Sequence, residues 1–334
     1  MNGSRIRPWV PFVAFAGGFL FDSITLGREV TRLDLYLVSV YGTLALGMIV
    51  LVTRDLPGRL GQLSPVVLQF CLGGSLSAVV VLYFRSTGQF YSLAFVALLF
   101  AAMVYNEFAH RDAPQQSLVW AMWCVSGAML ANFVVPHVVG SVSPVWFYLS
   151  VAATLAVVHA IRVVVKAPWS SVRLATIAAL VLALLWALGF VPPVPLVLRN
   201  SLVCTDFAKA ASEYGCRVDE PGILERVGLR AATVSRDEGE TVYVLTAVFA
   251  PQDVDVTMQH RWYRDTDDGW KLTDEMSFDM TGGRKDGWRF WSRKRNVAPG
   301  SWKVETALEG GAVLGYETFR VVIPRAPVKR HRAL

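Results

Sequence analysis

Long apolar runs alternate with short polar segments over the first 190 residues of the chain. Each run has about the 17 to 25 residues that a helix needs to cross a bilayer. A soluble bundle of buried helices would carry more internal charge, so the pattern predicts a polytopic α-helical membrane domain over residues 1–190, with about seven transmembrane helices. The seven runs are 9–26, 34–53, 65–84, 90–106, 117–136, 145–164 and 173–190.

The first run is the weakest, because Pro11 and the pair Gly17–Gly18 interrupt it and Asp22 lies within it. A signal peptide needs an apolar core of about 7 to 15 residues before its cleavage site. The apolar stretch 9–13, before the small residues AFA at 14–16, is shorter than this. We therefore predict a membrane helix.

The pattern changes after the proline-rich segment 191–200, which predicts a stiff extended linker. Apolar and polar residues then alternate with period two in short runs separated by turns, which is typical of an antiparallel all-β sandwich. In VTMQHRWYR the residues Val256, Met258, His260 and Trp262 share one side, and His260 is interpreted as a core histidine. We place the β-sandwich at 201–325, with a short helix in DFAKAASEYG (206–215) and a basic disordered tail at 326–334.

The distribution of charge along the chain supports two domains in two different environments. Residues 1–199 contain 12 Lys or Arg and 6 Asp or Glu, whereas residues 200–334 contain 20 of each kind. Short basic loops stay on the cytoplasmic side, which predicts a cytoplasmic N-terminus and a C-terminal domain outside. The predicted inner segments carry Arg5, Arg7, Arg54, Arg59, Arg111, Arg162, Lys166 and Arg173, and the outer ones Arg28, Arg32 and Arg85.

Several motifs carry a resemblance to a known group. These are FAGGFLFDSITLGR, VLYFRST, NEF and FVPPVPL in the first part, and HRWYR, GGRKDGWRFWSRK, PGSWKVET and GAVLGYETFRV in the second. Together they resemble bacterial multi-pass membrane proteins that end in domain of unknown function 2914. The resemblance implies a membrane-anchored protein of the inner (plasma) membrane with an immunoglobulin-like sandwich in the periplasm, and it implies no activity.

Ionisable groups at membrane depth are costly and point to function or to ion pairs at helix ends. The predicted topology places two such clusters at opposite membrane surfaces. The outer cluster contains Asp22, Arg28, Arg85 and His137, and the inner cluster contains Asn106, Glu107, His110 and Arg162. Each cluster either forms ion pairs at helix ends or lines a polar cavity, and Asp22 is the best single candidate for a cavity residue.

The C-terminal region offers two further candidates. On a strand over 287–295, one side would place Arg289, Trp291, Arg293 and Arg295 in a ladder facing water. This ladder is either a solvated face with internal cation–π contacts or a platform for a sugar and an anion. Cys204 and Cys216 lie outside in the predicted topology, where both a disulfide and two free thiols fit their spacing.

No sequence motif for a cofactor, a metal or a nucleophilic active site is present, and we expect no cofactor and no nucleic-acid partner. The expected function is therefore a membrane-anchored binding module that meets an envelope protein or glycan, with the lipid bilayer as its other partner. A membrane enzyme acting on a lipid-linked substrate, using Glu107 and His110, is the alternative. A transporter ranks last, because no internal repeat is evident.

Overall fold

The chain folds into two compact units, 1–195 and 196–334. They are seen in a computed structural model that describes residues 10–26, 32–54, 57–87, 90–108, 116–210, 213–220, 222, 225, 231–237, 239–250, 254–282, 287–324 and 330–333.

The described part of the first unit contains seven helices, close to the predicted runs. Five of them, α2, α3, α5, α6 and α7, are long and apolar enough to cross a membrane, and α4 contains a shorter apolar segment. The helices are α1 (Val10–Thr25), α2 (Arg32–Thr53), α3 (Arg59–Arg85), α4 (Phe90–Phe108), α5 (Gln116–Val139), α6 (Pro144–Val165) and α7 (Trp169–Ala187).

Helices α3 and α5 are the most buried of the five apolar helices. Tyr83 of α3 is fully buried, and its ring packs edge-on against Phe95 and Phe133. Its hydroxyl donates to the Met129 carbonyl at 3.3 Å and accepts from Asn132 Nδ2 at 3.0 Å. A buried hydroxyl needs such partners, so this pair of bonds explains how two polar side chains are accommodated between α3 and α5.

The proline-rich segment is packed rather than free. Val191 and Val194 are buried in the helical core, and the second unit begins its first strand at Val197. The predicted linker 191–200 therefore differs from the structure. Its first residues belong to the helical core, because their apolar side chains pack there, and its last residues belong to strand β1.

The described part of the second unit contains eleven strands and no long helix. They are β1 (Val197–Cys204), β2 (Asp206–Ala210), β3 (Glu213–Asp219), β4 (Ala232–Ser235), β5 (Val242–Phe249), β6 (Asp255–Thr266), β7 (Gly269–Thr281), β8 (Trp288–Lys294), β9 (Gly300–Leu308), β10 (Val313–Val322) and β11 (Arg330–Ala333).

These strands form three sheets, with the orders β1-β5-β8, β4-β10-β9-β6-β7 and β11-β3-β2. The first two sheets share the main core, in which Val242 and Val244 meet Trp262, Val304 and Phe319. The pairing is antiparallel except between β4 and β10, which are parallel. The two larger sheets thus form the predicted sandwich.

The small third sheet covers the other side of β5. Cys216 packs with Leu245, and the Phe207 ring stacks on Tyr243 with 5.4 Å between centroids. The sheet of β1, β5 and β8 is consequently buried on both faces. Two-sided burial explains why Val242, Val244, Leu245 and Val248 are all buried, although they do not lie on one side of the strand.

Two predictions about the ends of this unit differ from the structure. The segment DFAKAASEYG is not a helix, because its described residues lie in the antiparallel pair β2–β3. The predicted disordered tail 326–334 contains β11, which pairs with β3 from Arg330↔Asp219 to Ala333↔Cys216. In both cases pairing with a neighbouring strand outweighs weak local propensity.

Candidate functional site

The helical unit contains a cavity of about 440 Å³ with polar side chains in its wall. These come from four helices: Asp22 of α1, Tyr41 of α2, Gln69 and Ser77 of α3, and Glu107 of α4. Other hollows in the unit, such as one of about 270 Å³ that reaches Leu76, have almost entirely apolar walls. The polar cavity therefore presents side chains that could bind a polar ligand, which the hollow at Leu76 does not.

A glycine pair on α3 shapes one wall of the cavity. A Cβ atom on Gly74 would lie 3.9 Å from the Tyr41 ring, and one on Gly73 would lie 3.5 Å from Asn106 Nδ2. Without side chains at these two positions, Tyr41 of α2 and Asn106 of α4 approach α3 closely. Aromatic side chains, including Phe19 of α1, form much of the remaining wall.

One end of the cavity is fixed by amide groups. Gln69 Nε2 lies 3.3 Å from the Asn106 carbonyl oxygen and 3.4 Å from that of Glu107, to which it donates. Asn106 Nδ2 donates back to the Gln69 carbonyl at 3.5 Å. The last carbonyls of a helix lack partners within it, so Gln69 satisfies the end of α4 and holds the backbone of Glu107 at the cavity wall.

The other end is formed by Asp22 and Ser77. Ser77 is 5% exposed, and its hydroxyl interacts with the Asp22 carboxylate without forming a hydrogen bond of standard geometry within the described part of the chain. Gln69 and Ser77 are eight residues apart on α3, which corresponds to about 12 Å along a helix. The α3 wall of the cavity thus extends over about two helical turns, from Gln69 to Ser77.

Arg85 has a structural contact at the end of α1. Its Nη2 donates to the Ser23 carbonyl at 2.6 Å, and its Nη1 donates to the Leu26 carbonyl. Free carbonyls and the negative end of the helix dipole make a helix C-terminus a favourable place for a cation. Arg85 therefore anchors the end of α1 that carries Asp22.

The two clusters predicted from the sequence are rearranged in the structure. Asp22 and Glu107, assigned to opposite surfaces, line the same cavity, while Asn106 lies behind its wall. His137 donates through Nδ1 to the Phe133 carbonyl at 2.7 Å, within its own helix α5. Arg28 and His110 lie outside the described residues.

Arg162 belongs to the turn between α6 and α7. Its Nε donates to the Ala167 carbonyl at 3.3 Å, and its guanidinium lies 5.4 Å from the centre of the Trp169 ring. His159 stacks on the same ring with 5.2 Å between centroids and shares a 3.3 Å hydrogen bond with Thr176. This set ties two helices together, as a structural cluster at helix ends would.

The second unit carries an aromatic cluster over a disulfide. Cys204 and Cys216 are joined, with 5.8 Å between their Cα atoms. The Trp291 ring lies against Phe207, with 4.9 Å between centroids, and against Tyr243, with 6.1 Å. The three rings and the disulfide form one apolar cluster between β2–β3 and the sheet of β5 and β8.

The Arg–Trp ladder differs from its predicted form. Arg289, Trp291 and Arg293 alternate on one side of β8, but Trp291 is only partly exposed because β2–β3 packs over it. Arg293 is exposed, whereas β8 ends at Lys294 and Arg295 lies beyond the strand. The face therefore offers one edge of an indole with an exposed arginine beside it.

Sequence reasoning missed Tyr41, Gln69 and Ser77 as cavity residues. Gln69 was the available signal, since it is an uncharged polar side chain inside an apolar run, four residues before the glycine pair. Tyr41 and Ser77 are common residue types in membrane helices, and only the packing of α2 against α3 brings them to the cavity.

Comparison with known proteins supports the C-terminal part of the resemblance. Residues 255–321 match the family described as protein of unknown function (DUF2914). No curated protein matches the chain.

The solved structures that are similar to it include two from Pseudomonas species. An immunoglobulin-like protein from Pseudomonas aeruginosa has 12% identity and a TM-score of 0.23, with 38% of this chain and 96% of that chain covered. The DNA-bound alkylpurine DNA glycosylase AlkC from Pseudomonas fluorescens has 13% identity and a TM-score of 0.23, with 93% and 95% covered.

Proposed function

We propose that the helical unit anchors the chain in a bacterial plasma membrane and presents the β unit, an immunoglobulin-like binding module, on the extracytoplasmic side. The observation that carries this proposal is the disulfide between Cys204 and Cys216. Disulfides persist in oxidising compartments and are rare in the cytosol. The two free cysteines, Cys71 and Cys124, are both buried in the helical unit.

The charge of the helix connections supports the same orientation. Arg54, Arg59, Arg162 and Lys166 lie at the ends of helices that face the cytoplasm in this topology. On the other side, the described residues place Arg32 at the start of α2 and Arg85 at the end of α3, and Arg85 is hydrogen-bonded to α1. This asymmetry is the one that membrane insertion follows.

Alkaline phosphatase and green fluorescent protein fusions test the orientation. After Leu334, phosphatase should be active and green fluorescent protein dark, because the former needs an oxidising compartment and the latter fails to fold when exported unfolded. The matched control ends after Lys166 and should show the reverse. Fluorescence without phosphatase activity at Leu334 would refute the orientation.

The β8 face is the surface that we assign to partner binding. Phe207 and Tyr243 hold the Trp291 ring in place, and Arg293 is exposed two residues further on the same side. The exposed edge of a fixed indole can pack against the apolar side of a sugar, and a guanidinium suits a carboxylate. The partner that we propose is a glycan whose attached peptides carry carboxylates, as in peptidoglycan.

Co-sedimentation of the purified chain with peptidoglycan tests this assignment. Wild type should sediment, whereas Trp291→Ala and Arg293→Ala should each reduce the bound fraction several-fold. Arg320→Ala is the matched control, since Arg320 is exposed on β10 and should bind as wild type. Equal sedimentation of all four proteins would exclude the β8 face as the binding surface.

A further inference from the structure

The cavity between α1, α2, α3 and α4 has the chemistry of a ligand site that is independent of the β unit. We propose that it binds an organic cation with an apolar body. The reasons are two carboxylates that form no ion pair within the described residues, an aromatic wall, a buried hydroxyl and the size of the cavity.

The charged side chains in the cavity wall indicate the charge of the ligand. Asp22 and Glu107 line the cavity, and no lysine or arginine is among the described residues that do. Neither carboxylate forms an ion pair within the described part of the chain. Carboxylates in an apolar helical unit are costly unless a positive charge neutralises them. A bound cation would supply that charge.

The aromatic wall gives the class of cation. Phe15, Phe19, Tyr41 and Phe70 all face the cavity, and the rings of Tyr41 and Phe70 pack edge-on with 6.0 Å between centroids. Aromatic faces attract cations, and they are the usual surroundings of alkylated ammonium groups. A hard metal ion would instead require six or more oxygen ligands, so this wall favours an organic cation.

Ser77 adds a polar anchor. Its buried hydroxyl interacts with the Asp22 carboxylate but makes no hydrogen bond of standard geometry within the described residues. A buried hydroxyl with so weak a contact can still accept a hydrogen bond from a ligand. An ammonium N–H placed at this end would meet both the Asp22 carboxylate and the Ser77 oxygen.

The size fits a small molecule. Ligand sites commonly have volumes of about 300 to 1,000 Å³, and this cavity has about 440 Å³. The same chemistry is found in soluble hydrophobic amines and in the ammonium headgroup of a lipid such as phosphatidylethanolamine.

Binding of tetraphenylphosphonium to the full-length chain in nanodiscs tests the proposal. Tetraphenylborate is a control of almost the same shape and opposite charge. Saturable binding of the phosphonium, with only the non-saturable partitioning of empty discs for the borate, is the expected result. Saturable binding of both ions, or of neither, would overturn the proposal.

Variants connect that binding to the cavity. Asp22→Asn and Glu107→Gln should each weaken phosphonium binding by about tenfold or more, since a charged interaction of this kind is lost. Asp34→Asn is the matched control, because it removes a carboxylate from α2 that does not line the cavity. Wild-type affinity in both cavity variants would overturn the proposal. If Asp22→Asn does not fold, Glu107→Gln on a different helix decides alone.

Lipid composition distinguishes the two sources of the ligand. Phosphatidylglycerol nanodiscs are compared with discs that also contain phosphatidylethanolamine. Weaker phosphonium binding in the second discs supports a lipid ammonium headgroup as the competing ligand, and equal binding supports a soluble amine. None of these measurements depends on membrane orientation or on peptidoglycan, so they can succeed where the proposed function fails, and the reverse.

Discussion

His260 Nε2 lies 2.8 Å from Thr246 Oγ1, which joins a strand of one sheet to a strand of the facing sheet inside the β core. His260 Nδ1 lies 2.8 Å from Ser292 Oγ, which also accepts from Trp262 Nε1 at 2.9 Å. Ser292 can then give its one hydrogen to Nδ1, and Nε2–H can donate to Thr246. This arrangement satisfies a neutral imidazole.

We predict that acid destabilises the β unit through His260. Burial lowers the pKa of His260 to about 3 from an ordinary value of 6.5. Between these values the unfolded chain binds a proton that the folded chain does not. The stabilisation of the folded state by neutral His260 is therefore fully present above pH 6.5, and it is lost as the pH falls towards 3. Urea denaturation followed by near-ultraviolet circular dichroism should show this slope.

The matched variant for His260 is His260→Gln, which cannot titrate. It should be less stable than wild type at pH 8 by about 1 to 3 kcal/mol, because the network with Thr246 and Ser292 is disturbed. Its stability should also change less than that of wild type between pH 6.5 and 4. An unchanged slope would assign the acid sensitivity to another group.

Glu317 should give the stability of the β unit the opposite dependence on pH. It pairs with Val304 in register and so lies on the core side of β10, where burial raises its pKa from 4.5 to about 7. The folded chain keeps a proton that the unfolded chain releases, so stability falls as the pH rises from 4.5 through 7.

Glu317→Gln should therefore stabilise the β unit at pH 8, by on the order of 1 to 3 kcal/mol, and should change little at pH 4. Urea midpoints at the two pH values measure the difference. Glu309→Gln, in the exposed turn before β10, serves as the control. A variant that is destabilised at pH 8 would show that the carboxylate has a partner there.

Removal of the disulfide should destabilise the β unit. Cys204 and Cys216 are 12 residues apart, and closing a loop of this length stabilises by about 3 kcal/mol in the chain-entropy model. Cys204→Ser, Cys216→Ser and the double variant should lose similar amounts, because each breaks the same bond. Urea denaturation of wild type with and without reductant provides the comparison. A double variant as stable as oxidised wild type would contradict the prediction.

Arg85→Gln should loosen the end of α1. The variant loses the guanidinium contacts with the Ser23 and Leu26 carbonyls, at a cost of about 1 to 3 kcal/mol. Faster hydrogen exchange in the peptide over residues 19–26 would show it. Arg173→Gln is the control, since Arg173 is an exposed arginine of α7. Equal hydrogen-exchange rates in both variants would mean that the Arg85 contacts do not stabilise the end of α1.

Most helix ends could be predicted to within a few residues, because apolar runs bounded by charge leave little choice, although α3 begins at Arg59, six residues before its predicted run. The run 117–136, for example, lies within α5 (Gln116–Val139). The shared cavity of Asp22 and Glu107 could not be predicted in this way. Assigning each residue to one membrane surface ignores how deep its side chain lies in the helical unit. The packing of α1 and α4 around α3 decides which side chains line the same cavity.

The β unit shows a similar limit. Alternation correctly placed Met258, His260 and Trp262 in the core, since the sheet that contains β6 has one buried face. It could not anticipate that Trp291 would be half-covered, because the third sheet is built from a segment whose local pattern resembles a helix. Pairing between β2 and β3, together with the disulfide, determines its structure.

Strand β7 lies at the edge of its sheet, and most of its residues are exposed, including Lys271 and Asp279. Charged side chains on an edge strand hinder a second chain from adding to the sheet. Tethering to a bilayer restricts copies of a protein to two dimensions, where encounters between neighbours are frequent. In the membrane arrangement that we propose, charge along β7 would allow the β units to crowd at that surface without joining edge to edge.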